Sequence, residues 1–202
     1  MGRSGEGRFA KSRVDALSDG VFAFSMTLLV LDIRLPDDLV VASATDLAAH
    51  LVSLWDRTLT YVISFFVLGA FWRSGIELRP SGEDADRSVV HLVLVMLLFF
   101  TAVPFSSGLV GRYGHFLPAI LVYAANMAVL GVLTIAMRYL DVKPGKRSLA
   151  AAAGARLPTF LASAVLSVLI ALVAPRYAMY AYLLNFLTRL PFWPGRGFEG
   201  RS

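Results

Sequence analysis

The chain has no cysteine in its 202 residues, which excludes a disulfide framework, a zinc ribbon, a thiol nucleophile and a cysteine-ligated cluster. Charge is also scarce: 16% of the residues are Asp, Glu, Lys or Arg, where a soluble domain carries about 25%. The three histidines, His50, His91 and His115, are too far apart to pair as metal ligands beside a carboxylate, so no metal site is expected. There is no His-Glu-x-x-His, no phosphate-binding glycine loop, no Gly-x-Ser-x-Gly and no Rossmann glycine pattern. The sequence therefore reads as neither an enzyme nor a cofactor-binding protein. What it has in excess is apolar residues, 57% of the chain, with a mean hydropathy of +0.66. That excludes disorder, and several long uncharged runs exceed what one soluble domain of this size can hide. The fold class that fits is an all-α polytopic membrane protein.

We expect one membrane domain over residues 1–202, with six helices at about 14–34, 46–74, 89–110, 115–137, 157–174 and 176–190. The apolar part of the second begins near residue 58. Its preface, Asp46 to Arg57, has Leu47, Leu51, Leu54 and Trp55 at helical spacing. It reads either as an amphipathic interfacial helix or as the first turns of one long helix. In the third, Pro104 should bend the helix and free a carbonyl. Asn126 and Asn185 read as interhelical hydrogen-bonding residues, and Ala124/Ala128 and Ser163/Ser167 as close-packing pairs. Phe192, Trp193 and Arg196 read as an interfacial anchor.

Orientation follows from the basic residues. The N-terminus holds four, the 73–88 loop three, the 138–156 loop five and the C-terminus three, fifteen in all on one side. Only Arg34, Arg57, Arg112 and Arg176 fall on the other. Six crossings with this asymmetry put both termini in the cytoplasm of a cell whose inner (plasma) membrane holds the protein. The +5 formal charge is scattered over short loops without interleaved aromatics, so nucleic acid is not an expected partner. The apolar stretch Val21–Leu31 is followed by Asp32, Arg34, Asp37 and Asp38 before the small residues Ala42-Ser43-Ala44. This spacing fits a retained helix better than a cleaved signal peptide.

The first helix is unusual because its purely apolar part is too short to span a bilayer. It must carry Ser18 and Asp19, and at its edge Asp15, at or within the membrane. Two readings stay open: a functional intramembrane carboxylate with a partner, or carboxylates in the first turns facing water and the positive end of the helix dipole. At 100° per residue, Leu17, Phe24, Leu28 and Leu31 form an apolar stripe, with Thr27 on its flank and Asp19 well away from it. Such a stripe faces lipid or a narrow axial constriction.

The stretch Arg13-x-x-x-Leu17-Ser18-Asp19-Gly20-Val21-Phe22-Ala23 resembles the signature of the bacterial relatives of transmembrane protein 175, the lysosomal potassium channel family: an Arg, three residues, then Phe-Ser-Asp. Ser64-Phe65 with Gly69 and Trp72, and Phe99-Phe100 with Pro104-Phe105, are similar to that family's second and third helices. The resemblance implies a homotetrameric, potassium-permeable cation channel embedded in the lipid bilayer, with K⁺ as permeant ion and no cofactor. The family has no Thr-Val-Gly-Tyr-Gly filter, nor does this chain. By the resemblance the first helix lines the pore, Phe24, Leu28 and Leu31 form the constriction, Thr27 flanks it, and Arg13, Leu17, Ser18, Asp19 and Trp72 form a structural network. Leu17 stands where the motif has Phe, and Phe24 where Ile or Leu is usual. Gly75 and Ile76 stand where a His pair follows the helix-two Trp, so Asp19 needs another partner, Trp72 or Arg13. Asp32, Asp37 and Asp38 are expected to raise the local concentration of monovalent cations outside the neck. The rival reading is a secondary transporter or proton-coupled carrier using Asp19.

The charge count yields a direct expectation. A reporter active only in the cytoplasm, fused at Ser202, should be active, and the same result with a reporter active only outside would overturn the topology.

Overall fold

The computed structural model describes residues 9–77, 84–85, 87–141 and 157–187. Most of the basic residues counted above, and Phe192, Trp193 and Arg196, lie outside the described residues. The first element is α1 (Lys11–Leu28), which tightens into a 3₁₀ turn at Leu29–Asp32, a common way for a last helical turn to close. α2 (Ala44–Ser53) starts at Ser43, whose hydroxyl accepts the Asp46 amide at 3.1 Å, while the Asp46 carboxylate accepts the Ala42 amide at 3.0 Å. These contacts satisfy donors at a helix start that would otherwise be unpaired. α3 (Trp55–Glu77) continues at a 43° bend. No α2 residue is buried, as suits a helix lying in an interface.

α4 (Arg87–Thr101) and α5 (Val103–Tyr113) form one apolar span, Val89–Tyr113, interrupted where Pro104 enters the first turn of α5. The helix is broken there, where a bend was expected: proline has no amide for the Phe100 carbonyl. α6 (Leu117–Asp141) and α7 (Leu157–Val173) follow. A two-residue antiparallel pair, Phe9–Ala10 with Asp84–Ala85, ties the start of α1 to the segment before α4. Among the described residues three helical spans are long and apolar enough to cross a membrane: Ser12–Asp32, Val89–Tyr113 and Leu117–Leu140. The bent α2–α3 pair adds a fourth, and Thr159–Val173 is a shorter apolar helix. Where one helix over 176–190 was expected, a 3₁₀ segment runs from Pro175 to Leu183 before a single α-turn, α8 (Leu184–Leu187). In the 3₁₀ segment Tyr177 and Tyr180, one turn apart, are exposed, and the two rows between them, Ala178 with Ala181 and Met179 with Tyr182, are buried.

The core is crossed by a run of aromatic rings from four helices. Phe22 of α1 lies 4.1 Å (centroids) from Phe100 of α4. Phe100 is met edge-on by Phe71 of α3 at 5.6 Å, and Phe71 stacks on Phe160 of α7 at 4.6 Å. The polar residues inside are paired between helices. The Ser64 hydroxyl of α3 shares hydrogen bonds with Ser107 of α5 (2.9 Å) and Tyr123 of α6 (3.1 Å). Asn126 of α6 donates to Ser106 of α5 (3.2 Å), and Asn185 of α8 donates to Ser163 of α7 (2.9 Å). These are the interhelical roles the two asparagines were expected to fill. Such bonds average about 0.6 kcal/mol each in a membrane bundle. Ser64 is the node, so Ser64→Ala should lower the thermal stability of the solubilised protein more than Tyr123→Phe, which removes one bond only. An equal loss for both would mean that the node carries no shared stabilisation.

Candidate functional site

α1 is the least covered of the three spans: 17% of its apolar window is buried, against 33% and 44% for the other two. Its covered and uncovered residues divide cleanly round the circumference. Phe22, Ser25 and Leu29 are buried, within roughly 60° of one another at 100° per residue. Val14, Asp15, Ser18, Asp19, Val21 and Met26 are half-buried on the same side. Leu17, Phe24 and Leu31 are 49%, 62% and 65% exposed on the opposite half, next to a row of exposed small residues, Ala16, Gly20, Ala23 and Thr27. Leu28 sits at the border and is half-buried, so the stripe is less uniformly open than the sequence implied. On the covered side Met26 Cε faces Gly69 of α3, 3.9 Å from where a Cβ there would lie, an ordinary contact distance.

About two turns into α1, the Trp72 indole of α3 donates Nε1–H to Asp19 Oδ1 at 3.0 Å. Of the two partners considered for Asp19 this is Trp72, and Arg13 is exposed. The geometry suits the pair, because an indole is a donor only and an ionised carboxylate an acceptor only. The Ser18 hydroxyl donates back to the Val14 carbonyl at 2.8 Å, and the Thr27 hydroxyl to the Phe24 carbonyl at 2.8 Å. The structure therefore joins Asp19 and Trp72 across the α1–α3 seam, Ser18 bonds back within α1, and Arg13 and Leu17 lie on the exposed side.

At the far end of α1, Asp32 is not the open charge the sequence suggested. Arg112 at the end of α5 reaches its Oδ1 with Nε at 2.7 Å and Nη2 at 2.6 Å, and the carboxylate lies against Gly108 and Gly111 of the same helix. Arg57 Nη1 donates to the Arg34 carbonyl at 2.9 Å, two residues further on. Arg176 lies 3.8 Å from Asp56. The four arginines that the charge count set apart thus gather at one end of the bundle. Sequence reasoning used Arg112 only as an orientation marker. The available signal was the spacing Gly108-x-x-Gly111-Arg112, which leaves room beside a cation on one helix face. Also at this end a cavity of about 630 Å³ opens between α3, α5 and the 3₁₀ segment, lined by residues including Trp55, Asp56, His115, Arg176 and Tyr180 and by none from α1.

Residues 13–104 match the family described as endosomal/lysosomal potassium channel TMEM175. The chain is 35% identical over 101 residues to a potassium channel of Streptomyces collinus, covering 50% of this chain and 48% of that one. It is 33% identical over 101 residues to a potassium channel of Chamaesiphon minutus, covering 50% and 49%. The endosomal/lysosomal proton channel TMEM175 of Homo sapiens is 35% identical over 100 residues, 47% of this chain and 20% of that protein. The chain spans about half the length of the bacterial relatives it matches. A crystal structure of a lysosomal potassium-selective channel TMEM175 homolog from Chamaesiphon minutus superposes with a TM-score of 0.75 at 21% identity, covering 89% of this chain and 96% of that one. The shared fold therefore extends well past residue 104.

Asp19 and Trp72 make two halves of one contact at a partly exposed seam. Trp72→Phe, which keeps an aromatic ring but loses the N–H, should destabilise the protein by about 1 kcal/mol, and Asp19→Ala by at least as much. Thermal unfolding of the two variants and of the double variant checks this: fully additive losses would mean the two residues are not coupled.

Proposed function

We propose that the chain, which matches the TMEM175 family over residues 13–104 and resembles bacterial potassium channels over half its length, works as a potassium-permeable cation channel. In this reading the subunit has six membrane-crossing segments, with both termini cytoplasmic in the cell membrane, and four copies surround a central pore lined by α1. One observation carries the reading. α1 keeps a continuous half of its circumference uncovered, and that half combines a bulky stripe with a row of small residues. Small residues let helices from neighbouring copies approach closely, which leaves the bulky stripe to face the axis. A chain with one such helix and no internal repeat needs several copies to close a pore.

The mechanism is then a hydrophobic neck. Rings of Phe24, Leu28 and Leu31 exclude water when narrow, and an ion cannot enter a dry constriction without shedding hydration that nothing replaces. When the rings separate, water and partly hydrated monovalent cations pass. Thr27 flanks the neck, although its hydroxyl hydrogen already points to the Phe24 carbonyl, so it offers oxygen lone pairs to a passing cation. The Asp32 end is the outer one in this topology, where exposed Trp55, Tyr177 and Tyr180 sit at the level of an aromatic belt. Exposed Asp37 and Asp38 attract cations there. Asp19, engaged with Trp72, holds the helix and does not carry the ion.

Reconstitution in a lipid bilayer with ion substitution tests the reading. Single-channel currents carried by K⁺ support it; coupled flux without unitary currents would favour a carrier. Leu28→Asn should wet the neck, raise the current and reduce the discrimination between K⁺ and Na⁺. Leu29→Met, a volume-conserving change on the buried face, should leave permeation unchanged. Equal currents from both variants would remove α1 as the pore lining.

A further inference from the structure

The neck residues sit at one end of a helix with little cover, so something has to fix where that end lies. We infer that Asp32 is a positioning residue for the neck: wedged against Gly108 and Gly111 and tied to Arg112, it locks the last turn of α1 to α5 and so sets the spacing of Leu28 and Leu31. The inference rests on the proposed pore reading of α1.

Three features support it. The ion pair is short and two-pronged, with Arg112 Nε and Nη2 both on Oδ1 at 2.7 and 2.6 Å, and the Asp32 side chain is only 20% exposed. Arg112 itself is 38% exposed, and two of its N–H groups converging on one oxygen fix the direction of the Asp32 side chain. The seat fits closely: a Cβ at Gly108 would lie 3.2 Å from Oδ1 and one at Gly111 3.1 Å from Oδ2. The Gly111 position would also be in contact, at 3.4 Å, with the Arg57 Cα, so the seat is bounded on that side by backbone. The same Arg57 holds the chain just beyond, through the Arg34 carbonyl. Finally, the carboxylate belongs to the 3₁₀ turn Leu29–Asp32, next to Leu31 and starting right after Leu28. A displaced carboxylate moves both neck residues, whereas Phe24 lies two turns away.

Arg112 also cancels the charge of Asp32. The pair therefore acts on permeation through geometry and not through its field, which separates this role from that of a mouth charge. In bilayer recordings of the reconstituted protein, Gly111→Ala, which changes no charge, should shift unitary K⁺ conductance in the same direction as Asp32→Asn and Arg112→Gln. The shift should be about threefold or more and should persist from about 0.1 M to about 1 M salt, where the screening length falls from about 10 Å to about 3 Å. The oligomer on size exclusion should match the unsubstituted protein. If Gly111→Ala fails to assemble, Asp32→Glu takes its place, keeping the charge but adding a methylene against the two glycines. A shifted conductance there supports the inference, and an unchanged one overturns it. Opposite shifts for Asp32→Asn and Arg112→Gln that vanish at high salt would make Asp32 a mouth charge and overturn it. Unchanged currents in all these variants, with Leu28→Asn still altered, would overturn it and leave the pore reading intact. An unaltered Leu28→Asn would instead remove the pore reading itself, and the inference with it.

Discussion

A membrane helix that leaves half of its circumference uncovered must be held by its other half and by its ends. That constraint organises α1 and much of what packs on it. Along the middle, Phe22, Ser25 and Leu29 are buried against α3, α4 and α5. Two turns into the helix the Trp72 indole takes the Asp19 carboxylate, and at the closing turn Arg112 takes Asp32. The two polar contacts are about 13 residues apart on the chain, roughly 20 Å along a helix, so they oppose tilting as well as sliding. A purely apolar attachment would be weakly directional, because lipid tails compete for the same surface.

The rest of the bundle gives these anchors something rigid to pull against. The aromatic run from Phe22 through Phe100 and Phe71 to Phe160 links α1, α4, α3 and α7 without a polar atom. The Ser64 node then fixes α3 to α5 and α6, and α3 and α5 are the helices that supply Trp72 and Arg112. The residues that resemble the family's second and third helices accordingly do structural work: Ser64 is the node, and Phe100 is the ring between Phe22 and Phe71.

The sequence was legible where composition and periodicity act locally. The long apolar spans, the break at Pro104, the amphipathic character of the α2 preface and the interhelical use of Asn126 and Asn185 all follow from rules that need only near neighbours in the chain. The stripe on α1 was legible for the same reason, since 100° per residue assigns directions without knowing what lies in them. The 3₁₀ stretch at Pro175–Leu183 was not. An apolar segment with Tyr177, Tyr180 and small alanines satisfies a helical pattern, and Ala178, Ala181 and Tyr182 would share one face of an α-helix too, so no local rule selects the tighter turn seen beside α7.

By itself, the sequence determined that the chain is a helical membrane protein, where its basic residues concentrate, and that its first helix carries carboxylates beside an apolar stripe. Those properties are sums over residues or fixed angles along one helix. Only the tertiary structure decided what each carboxylate does. Asp19 and Asp32 are the same residue type, one midway along α1 and one in the turn that closes it, and both were open to an ion-facing role. Their partners lie 53 and 80 residues away in the chain, and no local rule brings Trp72 or Arg112 into reach. Packing of α3 and α5 against α1 does so, turning two expensive charges near a membrane into the contacts that hold the helix in place.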